Sequence, residues 1–173
     1  MSAVDAARRF YALPIEEKMK LEFRKNTYYR GYYPITKKKY SHESFELGPD
    51  VNVASNSSLS GPNHALFMAF RNLKLSQEVV GLGMKLLSAF ALALNLPEDY
   101  FADKVQTTPA TMRLTYYPPQ AQAIDNGAPG LGEHTDFQLF TILWQDENRG
   151  LQALNPSGQW IDVAPVSGTL VIK

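Results

Sequence analysis

The carboxyl-terminal third of this chain consists of short β-prone stretches separated by turn residues, with no helical stretch between them. β-Branched and aromatic residues dominate these stretches, and Gly, Pro, Asn and Asp punctuate them. Short antiparallel strands without intervening helices favour a sandwich or jelly roll over a parallel α/β sheet. The pattern predicts strands at residues 111–117, 131–136, 138–145, 151–154, 159–163 and 169–172, with hairpin connections at 146–150 and 155–158.

The amino-terminal part has a different pattern. Apolar residues at helical spacing predict helices over 4–12, 65–75 and 77–95, and a further helix begins near Pro14. Residues 23–60 keep no period, which predicts a long irregular segment of the kind that often serves function. The fold class is therefore α+β and mostly β: a sandwich or jelly roll with the amino-terminal helices packed on its outside. The resemblance described below implies that it is a partial double-stranded β-helix (jelly roll).

Composition excludes several classes of protein. Lys plus Arg and Asp plus Glu both number 17, so the zero net charge predicts no nucleic-acid or acidic-membrane partner. The absence of cysteine excludes disulfide and thiolate chemistry. Residues 1–10 contain no apolar signal region, and polar residues interrupt the most apolar stretch, 79–96. We therefore expect a cytoplasmic protein without a membrane span.

His134 and Asp136 are the candidate metal ligands. On an extended strand, side chains two residues apart leave the same face, so the imidazole and the carboxylate can converge. Together they provide two of the three ligands in the 2-His-1-carboxylate site that holds non-haem Fe(II). The alternative is that both residues hydrogen-bond to turns at the end of a strand.

The sequence around this pair carries a wider resemblance. Arg113 and Tyr116-Tyr117-Pro118-Pro119 precede it, and Leu143-Trp144-Gln145-Asp146, Gly150-Leu151-Gln152 and Gly158-x-Trp160-Ile161 follow it. In this order and spacing, the run resembles the isopenicillin-N-synthase-like branch of the 2-oxoglutarate/Fe(II)-dependent dioxygenases. The resemblance implies a partial amino-terminal region of helices and irregular chain over residues 1–110. It also implies a partial dioxygenase jelly roll, lacking its last strands, over 111–173.

The resemblance also implies the chemistry. His134 and Asp136 would bind Fe(II), and Tyr117 and Arg113 would contact the cosubstrate 2-oxoglutarate. Decarboxylation of 2-oxoglutarate with O2 would then drive hydroxylation, desaturation or ring closure of a small organic substrate. The use of 2-oxoglutarate stays open, because one branch member closes a ring without this cosubstrate. The identity of the substrate and the oligomeric state also stay open.

The family's third ligand is a later histidine, with an arginine beyond it that pairs with 2-oxoglutarate. The histidines here are His42, His64 and His134, so none follows Asp136. We expect His42 and His64 to lie at the surface and not to bind metal. Loss of the residue that hydrogen-bonds to a metal ligand typically lowers metal affinity or activity roughly 10–100-fold, and loss of the ligand itself should lower them at least as much. The chain is therefore expected to be incomplete and inactive alone, whether as a gene fragment, a broken gene or one half of a complex.

Two rival classes stay open at this point. A zinc hydrolase could use His134 and Asp136, but such sites usually have three protein ligands as well. The stronger alternative is a non-catalytic jelly-roll remnant that binds a small molecule or a protein partner through an unpaired sheet edge.

Overall fold

The computed structural model describes residues 3–25, 30–35, 41–47, 74–105, 110–119 and 130–173. These group into two compact units, Met1–Gly132 and Glu133–Lys173. Both contain strands and the first also contains helices, so the α+β expectation is confirmed. No helix within the described ranges is long and apolar enough to cross a membrane. The predicted helix 65–75 lies almost entirely outside the described residues.

The first unit begins with two helices, α1 (Ala3–Tyr11) and α2 (Ile15–Met19), followed by a 3-10 turn (Phe23–Lys25). A longer helix, α3 (Lys74–Ala93), comes later. It stops where Asn95 adopts a left-handed conformation with φ of 57°, which is common just after a helix. The predicted helices over 4–12 and 77–95 and the helix starting near Pro14 are thus confirmed.

A three-stranded antiparallel sheet completes the first unit. Its strands are β1 (Gly31–Tyr33), β2 (Glu43–Leu47) and β3 (Met112–Tyr116), with β2 in the centre. The expectation of irregular chain over 23–60 is wrong for the two segments that form β1 and β2. The first residue of β1 must be glycine. The φ of Gly31 is +126°, and a Cβ there would lie 2.3 Å from the carbonyl oxygen of Leu21.

Helix α1 packs against this sheet through an aromatic core. Phe10 is 1% exposed and its ring meets those of Tyr32 and Phe45 edge-on, with centroids 5.7 and 5.0 Å away. Edge-to-face contacts of this kind stabilise a core beyond simple burial. The fully or largely buried members of the cluster are Ala6, Phe10, Tyr11, Leu21, Tyr32, Phe45 and Leu47.

A buried ion pair lies beside that core. Lys18 Nζ is 2.7 Å from Glu43 Oε2, with both side chains less than a tenth exposed. The Tyr32 hydroxyl donates to the same carboxylate oxygen at 2.5 Å, and Lys18 also donates to the carbonyl oxygen of Tyr11. Burial, with Glu43 beside it, raises the pKa of Tyr32, so this hydroxyl stays protonated as a donor. The pair explains how β2 tolerates a charged residue that faces inward.

The second unit contains two small antiparallel sheets. Strand β4 (Ile142–Leu143) pairs with β7 (Val171–Ile172), and β5 (Gln152–Leu154) pairs with β6 (Trp160–Asp162). The β5–β6 hairpin confirms the predicted turn at 155–158. The hairpin at 146–150 is wrong, because β4 pairs with the distant β7 and not with β5. The predicted strand 131–136 is also wrong: that segment is irregular in the structure.

Lys18→Met is expected to destabilise the chain by about 3 kcal/mol, because it leaves the Glu43 carboxylate buried without its cation. Chemical denaturation of the purified chain measures this. The matched control is Lys20→Met, since Lys20 pairs with Glu17 at 2.6 Å on the exposed surface. That change should cost less than about 1 kcal/mol. Equal losses for the two variants would contradict the structural role assigned to the buried pair.

Candidate metal and cosubstrate site

His134 and Asp136 converge although they do not lie on a strand. His134 Nε2 is 3.4 Å from Asp136 Oδ1, and the His134 side chain is 44% exposed. Two ligands about 2.1 Å from a shared metal and at right angles lie about 3 Å apart. The two donor atoms are therefore close enough to share one cation, and the imidazole is accessible. Their donor chemistry, one nitrogen and one carboxylate oxygen, fits two positions of a ferrous site.

Sheet β4–β7 holds Asp136 in place. Thr141, immediately before β4, exchanges two backbone hydrogen bonds with Lys173, at 2.8 and 3.1 Å. This ladder brings both side chains to Asp136. The Thr141 hydroxyl donates to Oδ2 at 2.5 Å, and Lys173 Nζ lies 3.1 Å from Oδ1. The orientation of the candidate ligand therefore depends on a hydrogen-bonded pair of strands.

The same contacts set the ionisation of Asp136. Partial burial raises the pKa of this carboxyl, but hydrogen bonds from Thr141 and Lys173, and the charges of Lys173 and His134, lower it. The net result is a pKa below the usual value for aspartate. Asp136 is therefore an anion at neutral pH, as a carboxylate ligand must be. Sequence reasoning missed Thr141 and Lys173, and only their positions at paired strand ends could have indicated them.

Within the described ranges, no group of three or more His, Cys, Asp or Glu residues is arranged to hold a metal. His134 and Asp136 thus form a two-ligand cluster in this part of the chain. His64 lies outside the described residues. His42 is described and is 6% exposed, so the expectation that it lies at the surface is wrong.

The predicted cosubstrate contacts lie in the first unit. Tyr117 directly follows β3, and its residue is 49% exposed. Burial of part of the side chain raises the pKa of the Tyr117 phenol, although the charge of Arg113 opposes this shift. The hydroxyl is therefore protonated at neutral pH. Arg113 lies on β3 opposite Glu46 and its guanidinium is 3.2 Å from that carboxylate. The guanidinium also lies 5.9 Å from the ring centroid of Tyr33.

Comparison with known proteins shows which class of protein this chain resembles. Residues 108–173 match the family model of the 2OG-Fe(II) oxygenase superfamily. The chain is 36% identical to a 2-oxoglutarate-Fe(II) type oxidoreductase, hxnY, of Emericella nidulans, over 98% of this chain and 55% of that protein. The resemblance seen in the sequence is confirmed at this level: residues 108–173 match the superfamily model, and the chain is similar to a 2-oxoglutarate-Fe(II) type oxidoreductase.

Solved structures agree. A full-length Neurospora crassa protein, crystallised in complex with alpha-KG and 5-formyluracil, superposes with a TM-score of 0.81 at 27% identity. The match covers 98% of this chain and 55% of the Neurospora chain. A 2OG-Fe(II) oxygenase family protein of Caulobacter crescentus gives a TM-score of 0.76 at 32% identity, covering 98% of this chain and 58% of its own. The chain spans about half the length of the curated relatives it matches.

Thr141→Val is expected to weaken divalent-metal binding about tenfold, because hydrogen-bonded support of a ligand typically contributes 10–100-fold to affinity. Zn(II) titration of the purified chain against a competing chelator measures this. Thr169→Val is the matched control, because the Thr169 hydroxyl donates to the carbonyl oxygen of Val166 and not to Asp136. If both variants bound Zn(II) like the wild type, Thr141 would have no part in orienting Asp136.

Proposed function

We propose that this chain supplies two metal ligands and a cosubstrate contact of a non-haem Fe(II)- and 2-oxoglutarate-dependent oxidoreductase acting on a small organic substrate. The observation that carries the proposal is the 3.4 Å approach of His134 Nε2 to Asp136 Oδ1, within the segment that matches the oxygenase family. The proposal includes a fold assignment: the strands of residues 111–173 are part of a double-stranded β-helix, and the amino-terminal helices pack on its outside. The predicted boundary at residues 110 and 111 is part of the same proposal.

His134 and Asp136 would hold the ferrous ion. The imidazole would offer a nitrogen lone pair from Nε2, and the Asp136 carboxylate would offer negative charge from Oδ1. The Thr141 hydroxyl fixes Oδ2 at 2.5 Å, so the carboxylate cannot rotate without losing that hydrogen bond. When bound, the iron supplies the oxidising chemistry with O2 and 2-oxoglutarate, while the protein supplies ligand geometry.

Tyr117 and Arg113 would contact 2-oxoglutarate. Because burial raises the pKa of Tyr117, its hydroxyl is a hydrogen-bond donor at neutral pH and suits a carboxylate acceptor. Arg113 lies four residues earlier in the same extended run, so the two side chains leave the same face. In the structure the Arg113 guanidinium is paired with Glu46. Its contribution would therefore be positive charge near the cosubstrate, added to its role in the cross-strand pair.

The third ligand is the part of this proposal that the sequence does not contain, since no histidine follows Asp136. Free imidazole can take the place of a histidine side chain that a chain lacks. The two ligands present should then form a measurable site when imidazole is added.

A cytoplasmic location also stays a proposal that rests on sequence features alone.

The test is anaerobic titration of the chain with Fe(II) and 2-oxoglutarate, following the weak visible charge-transfer band of their complex. We expect little band with the chain alone and a clear band when imidazole is added. Asp136→Ala should abolish it, because imidazole cannot replace a carboxylate. His134→Ala should raise the imidazole concentration needed for the band, because added imidazole must then also take the place of His134. His64→Ala is the matched control and should keep the band. A band that survives Asp136→Ala, an imidazole requirement in His134→Ala equal to that of the wild type, or no band at any imidazole concentration would contradict the proposed function.

A further inference from the structure

We propose that His42 is a positioning residue for Tyr117 and, through it, for the bound 2-oxoglutarate. This inference rests on the proposed function for the identity of the ligand. Its geometric basis is independent of that function and involves only residues of the first unit.

Strand pairing places His42 beside Tyr117. In the β2–β3 ladder Glu43 lies opposite Tyr116, so the same antiparallel register carried one residue further sets His42 opposite Tyr117. The two ring centroids are 5.1 Å apart with an interplanar angle of 46°. Directly opposed residues on one face of an antiparallel pair are the ones whose side chains interact most strongly.

His42 also holds Gly130, which packs against the Tyr117 ring. His42 Nδ1 is 3.0 Å from the carbonyl oxygen of Gly130, which can only accept, so Nδ1 carries the proton. The Ser41 hydroxyl donates to the same oxygen at 3.0 Å. A Cβ on Gly130 would lie 2.8 Å from Cε1 of Tyr117, so the glycine lies directly against the ring.

These contacts make one assembly, in which a buried imidazole touches the ring of Tyr117 and also holds Gly130 against it. His42 is 6% exposed, whereas Tyr117 is about half exposed. A side chain just past the end of a strand would otherwise sample several rotamers, and binding a ligand would cost the entropy of choosing one. With His42 in place, much of that ordering is already achieved before 2-oxoglutarate arrives.

The test uses 3-fluorotyrosine labelling of the full 173-residue chain, with the Tyr117 signal assigned by Tyr117→Phe. Zn(II) and imidazole are added, and 2-oxoglutarate is titrated while the fluorine resonance of Tyr117 is followed. We expect the wild-type resonance to move on titration. In His42→Leu, which removes the donor and the ring together, the half-saturating concentration of 2-oxoglutarate should rise about tenfold.

A graded variant separates positioning from general stability. His42→Asn keeps a donor near the place of Nδ1 and should hold the half-saturating concentration within about threefold of wild type. The matched control is Phe101→Leu, which removes an aromatic neighbour of Tyr100, another partly exposed tyrosine whose ring lies 5.0 Å away. That change should move the Tyr100 resonance and leave the 2-oxoglutarate titration unchanged. A merely structural role for His42 would lower the unfolding free energy without this graded effect on 2-oxoglutarate.

The outcomes distinguish the two proposals. A wild-type response that His42→Leu leaves unaltered would overturn the positioning role while the proposed function stands. A wild-type chain that binds Zn(II) but gives no Tyr117 response to 2-oxoglutarate would overturn the cosubstrate assignment, and with it the positioning role. A tenfold weakening in His42→Leu, restored in His42→Asn, supports both.

Discussion

The proposed metal site depends on the orientation of one carboxylate, that of Asp136. Asp136 shares the space around Oδ1 with His134 and Lys173, while its Oδ2 accepts from Thr141. Neither candidate ligand lies on a strand, so no ladder fixes their backbone directly. The order comes from the β4–β7 pair, whose flanking residues Thr141 and Lys173 reach back to Asp136. A two-residue ladder therefore supports the proposed metal site.

The first unit buries charged and polar groups beside a small core. Lys18 neutralises Glu43, and the Tyr32 hydroxyl donates to the same carboxylate, next to the edge-to-face contacts of Phe10. That arrangement holds β2 as the central strand, and β2 in turn aligns β3, which leads directly to the proposed cosubstrate contact Tyr117. The packing of this core thus determines where the Tyr117 hydroxyl is presented.

Sequence reasoning predicted most strands of the carboxyl-terminal part, but it failed where the structure depends on contacts between distant residues. The spacing of His134 and Asp136 predicted convergence, and the two groups do converge, yet the strand assumed for 131–136 is absent from that described segment. Strand β2 was missed because its alternation is broken by Glu43, whose burial requires Lys18 from a distant helix. His42 was assigned to the surface for a similar reason. No local pattern reveals a hydrogen bond to Gly130, 88 residues further along the chain.

The most direct measurement of the central claim is extended X-ray absorption fine structure of the Zn(II)-loaded chain. If His134 and Asp136 share a cation, the spectrum should show one imidazole nitrogen at about 2.0–2.1 Å together with oxygen ligands. The imidazole scattering should disappear in His134→Ala and persist in His42→Asn. Imidazole scattering that persists in His134→Ala, or a wild-type spectrum with oxygen ligands only, would contradict it.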